Sequence, residues 1–288
     1  MPENSGMNLL VTGGTGFIGQ HVLKELAARN VACHVLMRTP PTTPLPRGMT
    51  PLLGDMAAPL PEIAFTHCLH LAWGGLPHYQ NPAHLAEELP KQQCFLEARI
   101  TRGLRKLVVA GSCLEYGLQS GALDETAALT PTLPYTQAKA ALLGWLGERQ
   151  NAHRFDLCWA RLFYMYGEGQ HATSLFSQLS AAVARGDARF PMSHGAQQRD
   201  FLPVEQVARY LVDLLLLRGN HGVVNIGSGA PITVRAQVEQ WLRHYGWSIA
   251  LDAGHYPYSD YEPMAFWADT AKLNQLLRGV TVLRQTPQ

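Results

Sequence analysis

The chain carries little charge of either sign and has no long apolar run. Of its 288 residues 16% are charged, and the formal net charge is +1. This balance leaves no basic patch for nucleic acid or for an anionic membrane surface, so we expect neither partner. The longest apolar stretches fall well short of the roughly 20 residues that a membrane helix needs. No charged-then-apolar leader precedes Met7, so we predict a cytoplasmic protein without a secretion signal.

Cysteine is scarce, and neither cysteine nor histidine is clustered. No two of the five cysteines form a close pair of the metal-ligand type; they are Cys33, Cys68, Cys94, Cys113 and Cys158. Free thiols in a reducing cytosol are the better interpretation. The twelve histidines contain no HExxH-like motif, so we predict that the protein binds no metal.

A glycine-rich turn lies near the N-terminus. Residues 7–11 form a short apolar run that predicts a buried strand, and residues 17–29 place apolar side chains at helical spacing. Between them, Gly13 permits a tight turn, Gly16 lets backbone approach a phosphate, and Gly19 lets the helix pack on the strand. A flexible loop is the alternative, but the strand before and the helix after favour a dinucleotide pyrophosphate site at a helix N-terminus.

A tyrosine and a lysine four residues apart predict an acid/base site. On a helix, Tyr135 and Lys139 share one face. Because an ammonium group stabilises a nearby phenolate, we expect a lowered pKa for Tyr135. The hydroxyl of Ser112, earlier in the chain, can then hydrogen-bond the substrate oxygen. Two such residues alone are typical of a solvated helix face, and the glycine turn upstream is what favours a chemical role.

Strand-like and helix-like segments alternate through the first half of the chain. This alternation predicts a doubly wound parallel α/β sheet of the Rossmann type. We expect a dinucleotide-binding domain over residues 1–166, and over residues 167–288 a smaller, mainly substrate-binding lobe that is partly interleaved with the main sheet. Further strands are predicted at 31–37, 50–53, 68–72, 106–110, 155–163 and 223–226, and helices at 83–101, 135–153, 173–185, 204–217 and 233–245.

Several motifs in order resemble one enzyme superfamily. Besides the glycine turn and the Tyr135/Lys139 pair, the matching segments are residues 70–72, 111–117, 161–167, 199–201 and 225–229. Together they resemble the short-chain dehydrogenase/reductase superfamily. The glycine spacing resembles its extended branch, the NAD(P)-dependent epimerase/dehydratase family, which acts largely on nucleotide sugars. The resemblance covers almost the whole chain and implies a homodimer.

The resemblance also implies a set of site residues. Ser112, Tyr135 and Lys139 would be catalytic, with Lys139 also holding the nicotinamide ribose. The cofactor would contact Gly13, Thr15, Gly16, Phe17, Ile18, Gly19, Arg38, Asp55, Leu71, Ala72, Tyr135 and Lys139. The substrate would contact Trp73, His78, Tyr79, Ser112, Cys113, Tyr164 and Arg199.

The end of the second strand bears on the choice of cofactor. An acidic residue there would bind the ribose hydroxyls and repel a 2′-phosphate. The strand instead ends in Arg38, which could pair with that phosphate or could simply be a surface arginine. We therefore favour NADP(H) over NAD(H). Asp55, after the third strand, matches a family position near the adenine.

The residues after Ser112 bear on the reaction. Nucleotide-sugar 4,6-dehydratases carry an Asp-Glu pair there, whereas this chain has Cys113 and Leu114, so we disfavour dehydration. GDP-fucose synthases place a cysteine two residues after the serine. Cys113 is one residue earlier, and we interpret it as a small buried side chain.

The remaining reaction that we favour is reduction of a ketone. The motifs resemble bacterial 4-ketoreductases, which implies NADPH-dependent reduction of the C4 ketone of a dTDP-4-keto-6-deoxyhexose for deoxysugar biosynthesis. An NAD-dependent nucleotide-sugar 4-epimerase, a reductase of a non-nucleotide carbonyl and a non-catalytic NAD(P)-binding regulator remain alternatives.

The substrate contacts depart in part from the family pattern. Arg199 matches an arginine that grips the diphosphate, although pairing with neighbouring Asp200 is the alternative. Tyr164 stands where many relatives have asparagine. The aromatic segment 256–262 could stack on a base or could be ordinary core, and His78 could be a solvated loop residue.

Overall fold

Helices and strands alternate through most of the chain. The computed structural model describes residues 6–58 and 61–285. The segment before Gly6, part of the region where we predicted no leader, lies outside them. In chain order the elements are β1 (Leu9–Thr12), α1 (Phe17–Ala28), β2 (Cys33–Met37), β3 (Met49–Leu53), β4 (His67–His70), a π-helical turn (His84–Glu88), α2 (Leu89–Ile100), β5 (Lys106–Ser112), a 3₁₀ turn (Cys113–Tyr116), β6 (Gly121–Leu123), α3 (Pro134–Ala152), β7 (Asp156–Leu162), β8 (Tyr164–Tyr166), α4 (Leu175–Arg185), β9 (Arg189–Met192), β10 (Gln198–Arg199), β11 (Phe201–Pro203), α5 (Val204–Leu216), β12 (Gly222–Ile226), β13 (Ile232–Thr233), α6 (Val234–Tyr245), β14 (Ala250–Ala253), β15 (Phe266–Ala268) and α7 (Ala271–Gln285).

Seven parallel strands form the central sheet. Their order is β12-β7-β5-β4-β1-β2-β3. Leu10 of β1 lies beside His34 on one side and beside Cys68 on the other. The predicted doubly wound parallel sheet is therefore confirmed. The strand order reverses between β1 and β4, and in such sheets the crevice at the carboxyl ends of these strands is the usual ligand site.

Both faces of the sheet are covered by helices. On one face α1 and α5 pack against β1, through residues such as Val11, Leu26 and Leu211. On the other face α2 and α3 cover Leu10 and Leu107. Successive strand residues point to opposite faces of the sheet, and both faces are buried here. The strands are therefore continuous apolar runs without alternating polar residues.

The residues after 167 contribute to two different regions. α5, β12 and α7 pack with the main sheet. α4, β9 and α6 form a separate core around Phe176 and Trp241. A smaller core of Tyr116, Phe163 and Phe266 joins the two regions beside the carboxyl edge of the sheet. The division into domains at residue 166 stays a prediction.

The predicted helix over 83–101 is interrupted near its start. It consists of the π-helical turn followed by α2. The break lies just before Pro90, which has no N–H to donate to the preceding turn. Among the described helices, none is long and apolar enough to cross a membrane. Within the same described ranges, no group of three or more His, Cys, Asp or Glu side chains could hold a metal ion.

Candidate active site

The glycine turn brings β1, β4 and the start of α1 close together. Gly13 has a φ of 69°, and a Cβ built on it would stand 2.8 Å from the amide nitrogen of Ala72. A Cβ on Gly19 would stand only 2.0 Å from the carbonyl oxygen of Gly13. No side chain caps α1 at Gly16, and its first turn contains no acidic residue. The first N–H groups of α1 therefore face the crevice as anion donors.

A buried hydrogen-bond network lies beneath this turn. The Gln92 amide nitrogen donates to the Ala72 carbonyl at 3.1 Å and to the Glu88 carboxylate at 2.6 Å. Its oxygen must then accept from Nε2 of His70, at 2.5 Å, so the Thr12 hydroxyl donates to Nδ1 at 2.8 Å. Burial lowers the pKa of His70 to about 4. The neutral ring thus ties the carboxyl ends of β1 and β4 together.

The structure brings Ser112, Tyr135 and Lys139 to the same carboxyl edge. Ser112 ends β5, and its hydroxyl accepts a hydrogen bond from the Leu114 amide. Tyr135 lies in the first turn of α3, which starts at Pro134, and Lys139 follows one turn later. Burial raises the pKa of Tyr135, and a hydrogen bond with the Ser112 side chain opposes that rise. The Ser112 side chain is thus close enough to the phenol to affect its pKa.

The raised pKa of Tyr135 is a correction to the sequence prediction. We expected Lys139 to lower it, but the lysine ammonium lies 5.9 Å from the phenol ring centroid. Three rings enclose the phenol instead: Tyr79 at 5.3 Å, His84 at 5.4 Å and Trp73 at 5.8 Å between centroids. Because this enclosure disfavours a phenolate, Tyr135 carries its proton at neutral pH.

Lys139 lies near two indole rings. Its ammonium donates to the Ala110 carbonyl at 2.8 Å. It lies 3.9 Å from the ring centroid of Trp73 and 5.8 Å from that of Trp159. Burial lowers the pKa of Lys139 to about 7, against the opposing charges of Glu115 and Glu88.

The loop after β4 is held by a histidine that the sequence analysis missed. The indole N–H of Trp73 donates to Nδ1 of His84 at 3.1 Å, so Nε2 of His84 donates to the His78 carbonyl at 3.0 Å. The side chain of His78 is exposed, and only its backbone makes this contact. The Tyr79 carbonyl accepts from the Tyr135 amide at 3.1 Å. Only tertiary packing reveals His84, because nothing in its sequence neighbourhood distinguishes it.

Arg199 is buried and already paired. Its Nη2 donates to the Glu262 carboxylate at 2.8 Å, and its guanidinium lies 5.5 Å from the ring centroid of Tyr164. The alternative pairing with Asp200 is wrong, because that carboxylate accepts from the backbone of residues 228, 229 and 268. Cys113 is buried nearby, and burial raises the pKa of its thiol.

Arg38 and Asp55 lie apart from the triad at the outer strands. Both side chains are exposed at the carboxyl edge, after β2 and β3. Asp55 accepts from the Ala57 amide at 2.8 Å. The Gly54 amide donates to the Met37 carbonyl at 3.0 Å and joins the two strand ends. Thr15, Phe17, Ile18 and Leu71 lie in the glycine turn, at the start of α1 and just after β4.

Comparison with known proteins identifies similar sequences and folds. The model of the NAD dependent epimerase/dehydratase family matches residues 9–227. dTDP-6-deoxy-L-talose 4-dehydrogenase (NAD(+)) of Aggregatibacter actinomycetemcomitans is 26% identical over 269 residues, covering 91% of this chain and 99% of that protein. dTDP-4-dehydro-6-deoxyglucose reductase of Escherichia coli is 23% identical over 254 residues, covering 80% and 79%.

A solved structure agrees with these matches. MoeE5 in complex with UDP-glucuronic acid and NAD superposes with a TM-score of 0.78 and 26% identity. The match covers 94% of this chain and 92% of MoeE5.

Proposed function

The chain belongs to the NAD dependent epimerase/dehydratase family, and from this premise we propose that it reduces the C4 ketone of a nucleotide-linked 4-keto-6-deoxyhexose with NADPH. The resemblance predicted from its motifs is confirmed. The observation that carries the proposal is the enclosed, protonated Tyr135, which lies beside Ser112 and Lys139 with no second acid/base pair after the serine.

The residues at the carboxyl edge fit a nicotinamide dinucleotide. The close approach at Gly13 and the uncapped start of α1 suit a pyrophosphate, which we propose is held by the backbone from Gly13 to Gly19. Lys139 is suited to hold the nicotinamide ribose. When bound, the nicotinamide supplies the hydride for the reduction.

Tyr135 is suited to donate the proton that reduction of a ketone requires. As the ketone becomes an alkoxide, Tyr135 gives its phenolic proton to the oxygen, and the Ser112 hydroxyl donates a hydrogen bond to the same oxygen. The Lys139 ammonium then stabilises the phenolate that Tyr135 becomes. A tyrosine that is protonated at neutral pH supports the reductive direction.

The surroundings of Ser112 do not support dehydration. A buried thiol with a raised pKa is a poor acid/base, so Cys113 does not supply a second catalytic group. Leu114 has no titratable group. The nearby Glu115 is fully buried and bonded to Arg161 at 3.0 Å, so it does not replace the missing carboxylate pair.

The substrate class rests on the relatives and on Arg199. Two relatives have names that place their chemistry at C4 of a dTDP-linked deoxysugar. We propose that Arg199 binds the diphosphate of such a substrate, which requires that it first release Glu262. NADP(H) is favoured over NAD(H) because Arg38 is exposed at the end of β2, where a 2′-phosphate would lie.

A 4-epimerase with a retained NAD is the second candidate, and it too is consistent with the match to the NAD dependent epimerase/dehydratase family. An epimerase uses the same tyrosine, serine and lysine but returns the hydride to the sugar. A non-catalytic regulator is less well supported, because it has no need of all three residues.

The test is to add dTDP-4-keto-6-deoxyglucose to the protein with NADPH or NADH and to follow the nicotinamide absorbance. We expect oxidation of NADPH and a single 4-hydroxy product. Tyr135→Phe should lower turnover by about 10²- to 10⁴-fold and leave cofactor binding nearly intact. Tyr210→Phe, on α5, is the matched control. Interconversion of dTDP-sugar 4-epimers by NMR without net oxidation of NADPH would favour the epimerase instead.

A further inference from the structure

Glu115 is a buried carboxylate that the proposed reaction leaves without a role. Its side chain is fully buried in the 3₁₀ turn after β5. It accepts hydrogen bonds from the Ser112 amide at 2.7 Å, from the Trp159 indole N–H at 3.1 and 3.2 Å, and from Nε of Arg161 at 3.0 Å. Burial raises the pKa of the Glu115 carboxyl, and the charge of Arg161 and the hydrogen bonds from Ser112 and Arg161 oppose that rise. A buried carboxylate paired in this way can keep its charge.

The Trp159 indole connects Glu115 to Lys139. A Cβ on Gly111 would stand 2.2 Å from the indole nitrogen, so the ring packs directly against β5. The same ring lies 5.8 Å from the Lys139 ammonium. The ammonium also lies 3.9 Å from the ring centroid of Trp73. It therefore lies near two indole rings, and the Glu115 carboxylate lies at the edge of the Trp159 ring.

A lysine in these surroundings needs a nearby negative charge. Lys139 is 3% exposed, and burial in an apolar site favours the neutral amine. Two carboxylates oppose this effect, Glu115 and Glu88. Glu88 also pairs with Lys91 near the surface, whereas Glu115 is fully buried. The titratable and charged groups that face Lys139, Tyr135 or Glu115 from the surrounding elements are His70, Tyr79, His84, Glu88, Cys113, Tyr116 and Arg161.

We propose that Glu115 is a positioning residue for this site: its buried negative charge, held at the Trp159 ring, keeps Lys139 in the ammonium form, and its carboxylate fixes the backbone of Ser112. The inference rests on the proposed function, since it assigns Glu115 a part in the same reaction. An ammonium is what the phenolate of Tyr135 needs after it has given up its proton. Removing the charge of Glu115 thus favours the neutral amine and weakens reduction at alkaline pH.

The charge of Lys139 can be titrated without any turnover. The chain has only five lysines, so protein labelled with ¹³C-lysine gives a few resolvable signals, and Lys139→Arg identifies the one of interest. We expect Glu115→Gln to lower the midpoint of the Lys139 titration by about one pH unit or more. The alkaline limb of the kcat/KM profile for reduction should move in the same direction. Glu115→Asp keeps the charge and should hold the Lys139 titration close to that of the natural protein.

A second variant keeps the test valid if Glu115→Gln does not fold. Replacing both members of the pair, Glu115→Gln with Arg161→Met, leaves no buried unpaired charge. Arg161 is not among the groups that act on Lys139, so the lysine titration should still fall.

An unchanged Lys139 titration in whichever of the two variants folds would overturn the proposal, even if turnover were lost. A lowered titration in a protein that reduces no 4-keto sugar would instead support the role of Glu115 and reject the proposed function.

Discussion

Replacing Glu262 should tighten the binding of nucleoside diphosphates. Glu262 forms the ion pair with Arg199, whose side chain is 2% exposed while that of Glu262 is 16% exposed. If Arg199 holds the diphosphate of the substrate, each binding event must first displace this carboxylate. Glu262→Gln removes the competing charge and leaves the shape of the side chain nearly unchanged. The variant should therefore bind dTDP more tightly.

The size of the effect follows from the bond that is released. A hydrogen bond to a charged group contributes about 1.5–3 kcal/mol, and every 1.4 kcal/mol is a tenfold change in Kd, so the Kd of dTDP should fall roughly 10- to 100-fold. The same variant leaves a buried guanidinium without its counter-ion. Because Glu262 is partly exposed, we expect a loss near the lower end of the range for buried pairs, about 3 kcal/mol of unfolding free energy. The Tm should drop and be partly restored by dTDP.

Calorimetric titration with dTDP and UDP, together with thermal unfolding with and without them, measures both effects. Asp187→Asn breaks the exposed pair with Arg185 and is the matched control, which should change neither quantity appreciably. Equal or weaker dTDP binding by Glu262→Gln would refute the idea that the carboxylate competes for Arg199. It would also remove the main structural support for a diphosphate at this arginine.

Three further outcomes are expected. Arg38→Ala should weaken NADPH binding and spare NADH in fluorescence titrations, and equal loss for both would show that Arg38 does not contact the 2′-phosphate. The unfolded chain protonates His70 near pH 6.5 but the folded protein only near 4, so stability should be lost as pH falls through that window, by about 3 kcal/mol at most. Denaturant titrations at a series of pH values should show a smaller loss of unfolding free energy at acid pH in His70→Gln. The same dependence of stability on pH in both proteins would contradict this role of His70. Cys113→Ala should retain most turnover, because the thiol is buried and protonated, and a 100-fold loss would give it a chemical role.

The sheet could be predicted because each of its strands is recognisable from the residues of that strand alone. Parallel strands covered on both faces are continuous apolar runs, and β5 and β7 appear as such in the sequence. The glycine turn and the Tyr135/Lys139 pair are likewise short-range patterns with fixed spacing. Their placement at one sheet edge follows from the topology alone, because parallel strands all end on the same side.

What escaped prediction depends on contacts between distant segments. Glu262 pairs with an arginine 63 residues away, and no spacing rule connects them. The pKa of Tyr135 was predicted in the wrong direction because only its helical neighbour, Lys139, is visible in the sequence. The enclosing rings of Trp73 and His84 come from another segment, and burial together with the negative charge of Glu115 raises the pKa of Tyr135.

β12 has a consequence for how this protein can be recombined with its relatives. This strand comes from residues 222–226, yet it completes the main sheet beside β7. A chimera joined near residue 166 would combine six strands of the central sheet from one parent with the edge strand of the other. The side chains of β12 would then have to match foreign neighbours at residues 158–162 of β7. If the smaller lobe sets substrate preference, as predicted from the sequence, that preference is better exchanged by grafting the segments 173–199 and 229–264. These grafts leave β12 and α5 in their parental sheet and β15 beside its parental partner β6.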